Sequence, residues 1–129
     1  MYLDFLSPIE ESVFTYLDSR SSSCLGNYVQ FFTSPEDFPN LEETKIAVLG
    51  VQEDRNAVNN IGCGEDLSII RKKLYELFPG DWNTSIADIG NIKKGNTVDD
   101  TYFAVKEIIT ELLKNQIIPI ILGGSQDLT

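Results

Sequence analysis

Ile117-Ile118-Pro119-Ile120-Ile121-Leu122-Gly123-Gly124-Ser125-Gln126-Asp127-Leu128-Thr129 decides how the rest of the chain is read. Five of its first six residues are Ile or Leu. That composition predicts a strand buried on both faces of a parallel sheet. Two glycines follow at once, so the backbone must turn tightly or approach another group closely. Polar side chains come next, at the carboxyl end of the strand, where open α/β sheets hold their ligands. The sequence stops soon after this loop begins, which is expected of a fragment or of a protein that has lost further machinery.

Upstream, the same grammar repeats. Lys45–Val51 is a strand of consecutive apolar residues with Gly50 near its carboxyl end, followed by the polar loop Gln52-Glu53-Asp54-Arg55-Asn56. A turn-rich stretch, residues 59–66, leads into a helix expected over Asp66 to Phe78. Its inward face is read as Leu67, Ile70, Leu74 and Leu77, with Arg71, Lys72 and Lys73 mostly off it. Glu65 and Asp66 suit the positive end of that helix, and Pro79-Gly80 stops it. Ser85–Gly90 reads as a shorter strand. Thr97 caps a third helix with Asp99 and Asp100 in its first turn, and Val98, Tyr102, Val105, Ile109 and Leu112 form its stripe to Lys114-Asn115. Pro119 is the dissonant residue of the last strand: either its nitrogen faces away from the ladder, or pairing starts after it.

Strand, helix, strand, helix, strand in that order predicts an α/β fold with a parallel sheet, covering helices and right-handed crossovers. Three strands leave one sheet edge bare or covered by further chain. Residues 1–44 read as an N-terminal extension. Ser7-Pro8-Ile9-Glu10 is a helix start, with Ser7 as cap, and Ile9, Val13, Tyr16 and Leu17 repeat at helical spacing. Tyr28–Phe32 is a strand or an extended packing segment, and residues 33–40 are a loop.

Composition removes several chemistries. With 129 residues the prior is one domain, and 42% hydrophobic with 23% charged residues is ordinary for a folded one. The net charge of -10 makes nucleic acid and anionic membrane surfaces poor partners. There is no histidine, which rules out Ser-His-Asp and Cys-His catalysis and imidazole ligands within this chain. Cys24 and Cys63 lack metal-type spacing; without a secretory signal they are expected as reduced thiols in a cytoplasmic protein. No apolar run approaches the ~20 residues of a membrane span. Gly62-Cys63-Gly64 shares only two glycines with a dinucleotide fingerprint and lies too far beyond its strand. Asp88 and Asp127 are the carboxylates nearest strand ends; acid, base or hard-metal ligand is one role, and orienting a loop or capping a helix the plainer one.

With these elements in place, Ile120-Ile121-Leu122-Gly123-Gly124-Ser125-Gln126-Asp127-Leu128 resembles the segment of the arginase, agmatinase and formimidoylglutamase (ureohydrolase) family in which an apolar strand runs into Gly-Gly-Asp-His-Ser. Residues 45–51 are similar to the opening strand of that family. Gly62-Cys63-Gly64-Glu65-Asp66-Leu67-Ser68-Ile69-Ile70-Arg71 is similar to its Gly-rich turn and Arg-bearing helix, and Asp88-Ile89-Gly90-Asn91 to its Asp-Tyr-Gly-Asp step. The formimidoylglutamase-like branch is the nearest in flavour. The resemblance implies the N-terminal part of a three-layer α/β/α ureohydrolase-like fold, residues 45–129 being its first βαβαβ portion. It also implies a family chemistry in which paired Mn2+ ions activate water to hydrolyse a guanidino or formimino C–N bond.

Residue by residue, the family's first His ligand corresponds to Gln126, the preceding Asp to Ser125, and the small hydroxyl residue after it to Asp127. The family's Asp-x-His-x-Asp and Asp-x-Asp motifs have no counterpart in this sequence. An amide oxygen is a weaker ligand than imidazole. The chain alone is therefore expected to carry no catalytic residue, no metal ligand and no cofactor. Gly123, Gly124, Ser125, Gln126 and Asp127 remain as loop candidates, and the remainder of its own domain or a homo-oligomer as partner. Two readings stay open: the N-terminal segment of a ureohydrolase-like hydrolase, or a degenerate ureohydrolase-fold binding or scaffolding protein.

Overall fold

The computed structural model describes residues 2–81 and 83–129. Its strands are β1 (Leu6–Ser7), β2 (Val29–Phe31), β3 (Ile46–Val51), β4 (Ile86–Ile92) and β5 (Ile118–Leu122). Its α-helices are α1 (Glu11–Asp18), α2 (Ser68–Tyr75) and α3 (Val98–Lys114). The chain is a mixed α/β structure built on one mostly parallel sheet.

The three strands expected from sequence lie side by side in the order β4-β3-β5, all parallel. Residues 1–44 add two more. Because β3 occupies one edge of β4, β1 and β2 share the other: β1 lies antiparallel beside Ile92 and Asn91, and β2 parallel beside Ile86 to Asp88. The N-terminal segment is thus woven into the sheet. Ser7, expected to cap a helix, is a strand residue whose hydroxyl donates to the Asn91 carbonyl, and α1 starts four residues later. Of the stripe expected on α1, Ile9 and Val13 are buried.

The two faces of the sheet differ. Ala47, Leu49 and Val51 of β3, with Ala87, Ile89 and Ile92 of β4, pack against Ala104, Val105, Ile108 and Leu112 of α3. That is the larger apolar core. The stripe on α3 is rotated from the expected one: Thr101, Ala104 and Ile108 join Val105 and Leu112 inside, while Val98, Tyr102 and Ile109 are half-buried. The Thr97 cap is present as a full capping box with Asp100. Such a box satisfies two otherwise orphan backbone N–H groups.

The opposite face carries α2, with α1 packed alongside it. Helix α2 is shorter than expected, and its buried residues are Ser68, Arg71 and Tyr75; Ile70 and Leu77, expected inside, are exposed. Hydrophobic periodicity tracks apolar residues, whereas this face follows the buried ionic contact of Arg71 with Asp88. A β-bulge makes that contact reachable. The β3–β4 register shifts between Val48 and Gly50, giving β4 an extra residue around Gly90. Gly90 has φ of 85°, and a Cβ there would lie 2.0 Å from the Ser7 carbonyl oxygen, so only glycine fits. The bulge lets the Asp88 and Asn91 side chains both reach Arg71.

The reading of β5 as buried on both faces is also corrected. Among the described residues β5 is an edge strand paired only with β3, and Ile118, Ile120 and Ile121 are 61%, 42% and 37% exposed. The edge position resolves Pro119. The Ile118 N–H donates inward to the Lys45 carbonyl, so in the alternating parallel ladder the Pro119 nitrogen faces the free edge, where no donor is needed.

Candidate functional site

Three loops meet at the carboxyl end of the sheet, following β3, β4 and β5. Since β3 and β5 are neighbours but not consecutive in the chain, a crevice opens between the loops that leave them. It is a cleft of about 480 Å³, lined by Asn56, Ala57, Val58 and Asn60 from one side and Gly124, Ser125, Gln126 and Asp127 from the other. The position expected from sequence for the Gly-Gly loop is where the loop lies.

The local geometry of that loop follows from its glycines. Gly123 and Gly124 have φ of 69° and 83°, and a Cβ on Gly124 would come within 2.8 Å of the Glu53 carbonyl oxygen. This close approach lets Ser125 turn inward. Its backbone N–H donates to the Glu53 carbonyl at 2.9 Å and its hydroxyl to the same oxygen at 3.3 Å, and the residue is buried. Asp127 accepts a short hydrogen bond from the Tyr102 hydroxyl. Ser125 beside it and then the Tyr102 hydroxyl hold the Asp127 carboxyl below its ordinary pKa, and Asp127 in turn raises that of the Tyr102 phenol. Gln126 is exposed.

Behind the cleft lie two buried carboxylates, Glu53 and Asp54. Glu53 accepts from the backbone N–H groups of Asp54 and Arg55, from the Arg55 guanidinium, and from the Thr101 hydroxyl at 2.8 Å. The Arg55 side chain chiefly, helped by the Arg55 N–H and Thr101, holds its pKa down to about 2 against the opposing effect of burial. Arg55 also donates to the Gly95 and Asn96 carbonyls, tying the β3 loop to the turn before α3. Asp54 accepts from the N–H groups of Gly62 and Gly64 at 3.1 and 3.2 Å and pairs with Lys94. The Lys94 contact, ahead of the two backbone donors, lowers the Asp54 pKa. These charges anchor loops: Glu53 closes its own turn onto α3, and Asp54 folds the Gly-rich turn beneath it.

Asp88 lies elsewhere, within β4 and fully buried beneath α2. It receives Arg71 Nε at 2.7 Å, Arg71 Nη2 at 3.0 Å, the Tyr75 hydroxyl at 2.5 Å and the Gly90 N–H at 3.0 Å. Arg71 continues to Asn91 Oδ1 and the Gly90 carbonyl, and weakly to Glu10. Burial opposes the Arg71 charge, yet Asp88 and Glu10 hold its pKa above the ordinary guanidinium value. Burial and then the Asp88 charge push the Tyr75 phenol far up, so it stays a hydrogen-bond donor. The structure therefore places Asp88 in the core as the partner of Arg71, apart from the cleft.

A hard divalent cation needs several oxygen or imidazole donors converging on one point. The residues at this end of the sheet do not fit that requirement. Gln126 offers a neutral amide, Ser125 and Asp127 are engaged by Glu53 and Tyr102, and Glu53 and Asp54 have their oxygens occupied by Arg55, Thr101, Lys94 and backbone donors. Among the described residues, no group of three or more His, Cys, Asp or Glu is placed to hold a metal ion.

The sequence places the Gly-Gly loop, the polar loop 52–56 and Tyr102 on its helix, but does not give the contacts that Glu53, Asp54, Arg55 and Asn56 make with Lys94, Thr101 and Tyr102. The available signal was the run of three charged residues, Glu53-Asp54-Arg55, directly at a strand exit. Among the described residues, no helix is long and apolar enough to cross a membrane. No protein-family model, no curated protein and no solved structure matches the chain.

Proposed function

We propose that this chain is the N-terminal segment of an arginase/agmatinase/formimidoylglutamase-like protein, and that by itself it hydrolyses nothing. The observation that carries the reading is the placement of the Gly-Gly-Ser-Gln-Asp loop. It leaves a parallel strand at the carboxyl end of the sheet and faces the loop that leaves the neighbouring strand. Supporting it are the Arg-bearing helix α2 and the Asp88–Asn91 step, which meet in one buried contact. The family's chemistry, hydrolysis of a guanidino or formimino C–N bond by a manganese-activated water, needs ligands that this chain does not supply.

A second reading is favoured by a separate observation, the engagement of the cleft carboxylates by protein donors. In it the fold is kept as a binding or scaffolding element in which the cleft offers amides and a hydroxyl in place of a metal centre. The reading frame beyond Thr129 separates the two. An Asp-x-His-x-Asp run followed by Asp-x-Asp supports a hydrolase; a continuing α/β pattern with those acids replaced supports the binding protein. A stop codon there removes both in favour of a small free-standing domain, which must then fold cooperatively as 129 residues.

A further inference from the structure

Helix α2 inverts the usual amphipathic order. Its inward face is polar, with Ser68, Arg71 and Tyr75 buried and the last two committed to Asp88. Its outward face is apolar and continues past the helix end: Ile69, Ile70, Leu77 and Phe78 are 60%, 42%, 57% and 71% exposed. A surface helix ordinarily turns apolar residues to the core and charged ones to water. Spacings of three and four residues put Ile69, Ile70, Lys73 and Leu77 on one side, so the exposed groups form a crest. An exposed apolar patch rimmed by polar groups marks an interaction surface.

The charge beside that crest is opposite to that of the chain, which has twenty acidic and ten basic residues. Three of the ten gather here. The Arg20 Cζ and the Lys72 and Lys73 Nζ atoms lie 4.4, 5.9 and 6.0 Å from the centre of the Tyr16 ring. Glu76 lies among them, accepting from the Tyr16 hydroxyl and pairing with Lys73 at 3.1 Å and Arg20 at 3.9 Å. Asp66, before the helix, is taken by the N–H and hydroxyl of Ser68.

We infer that the crest of α2, with Arg20, Lys72 and Lys73 beside it, docks an acidic amphipathic helix of another protein. The apolar stripe of that helix covers Ile69, Ile70, Leu77 and Phe78, and its carboxylates meet the three cations. Charge selects this occupant. A second copy related by a twofold axis would bring the same cations together, and like charges oppose that. An anionic membrane would be repelled by the rest of a chain of net charge -10. Neither the Gly-Gly loop nor its cleft takes part, so this surface stands or falls apart from the ureohydrolase-like reading.

The test is NMR titration of the whole chain with two synthetic helices that share one leucine stripe. One carries glutamates on its other face and one carries lysines. The glutamate peptide should saturate, with shifts at residues 69–78 and at Arg20, and should bind about tenfold or more tighter than the lysine peptide. Raising salt from about 50 to about 500 mM should weaken it about fivefold. Lys72→Glu/Lys73→Glu and Ile69→Gln/Leu77→Gln should each weaken it about tenfold. Ile69→Gln/Leu77→Gln changes exposed side chains, so its urea midpoint should match that of the parent. Unchanged affinity in either double variant overturns the docking face. So does equal affinity for the two peptides, or the lack of a saturable shift up to about 1 mM peptide. Self-association in the ultracentrifuge that disappears in Ile69→Gln/Leu77→Gln would assign the crest to a second copy. Shifts at the crest on adding phosphatidylglycerol vesicles would assign it to a membrane. Either result overturns the acidic-helix claim.

Discussion

Replacing Asp88 by alanine should be among the most damaging single changes in this chain. It would strand Arg71, whose side chain is 0% exposed and whose other ionic contact is Glu10 at 3.4 Å. Breaking a buried ion pair from one side costs about 3–5 kcal/mol, because a charge is left without its partner. The Tyr75 hydroxyl and the Gly90 N–H lose their acceptor as well, each worth about 1 kcal/mol or more when buried. Glu10 and Asn91 remain on Arg71 and offset part of this, so a net loss of about 4 kcal/mol is expected. Against a total of about 5–15 kcal/mol for a domain of this size, that is a shift of roughly 10–15 °C in melting temperature.

Urea unfolding followed by circular dichroism measures the loss directly, provided the dependence on urea keeps its slope. Arg71→Met and the double variant complete a cycle. The double variant should be less damaged than the sum of the singles by about 2 kcal/mol or more, since it leaves no stranded charge. A loss below about 1 kcal/mol for Asp88→Ala, or strict additivity in the cycle, would show that the pair is not what seats α2 on the sheet.

Glu53→Gln should cost about 2 kcal/mol at neutral pH, discounting the ~3.4 kcal/mol implied by a fall from 4.5 to about 2 because Arg55 is a third exposed. Its folded pKa is depressed, so this stabilisation is present above pH ~4.5 and disappears as pH falls toward 2; stability curves of parent and variant should converge over that window, and a constant gap would refute the assignment. Thr97→Ala removes half of the capping box and should lower stability by about 1 kcal/mol in the same urea assay, with no change meaning that the cap is not contributing.

What was legible in the sequence, and what was not, follows from the range of the interactions. The strands at 46–51 and 86–92, the Thr97 cap and the Gly-Gly turn are local signals: apolar runs, a capping residue at fixed offset, glycines where φ must be positive. The strands β1 and β2 are two and three residues long and exist only because β4 offers them an edge far along the chain. No local pattern announces that. Helix α2 misled for a different reason. Its inward face is organised by Arg71 and Tyr75 meeting Asp88, and a hydrophobic period cannot see an arginine whose partner lies on another strand. Glu53 and Asp54 stand in the polar loop that the sequence places after β3, yet a charge at a strand exit reads as solvated until its donors are placed. β5 was read as central from its isoleucines, yet its second neighbour is absent among the described residues.

The carboxylates at the carboxyl end of the sheet either hold loops or hold a metal. The direct measurement is metal content of the purified chain after equilibration with excess Mn2+ and exhaustive dialysis. Loop anchoring predicts well under one tightly held ion per chain. About two ions per chain, the stoichiometry of a binuclear centre, would contradict it.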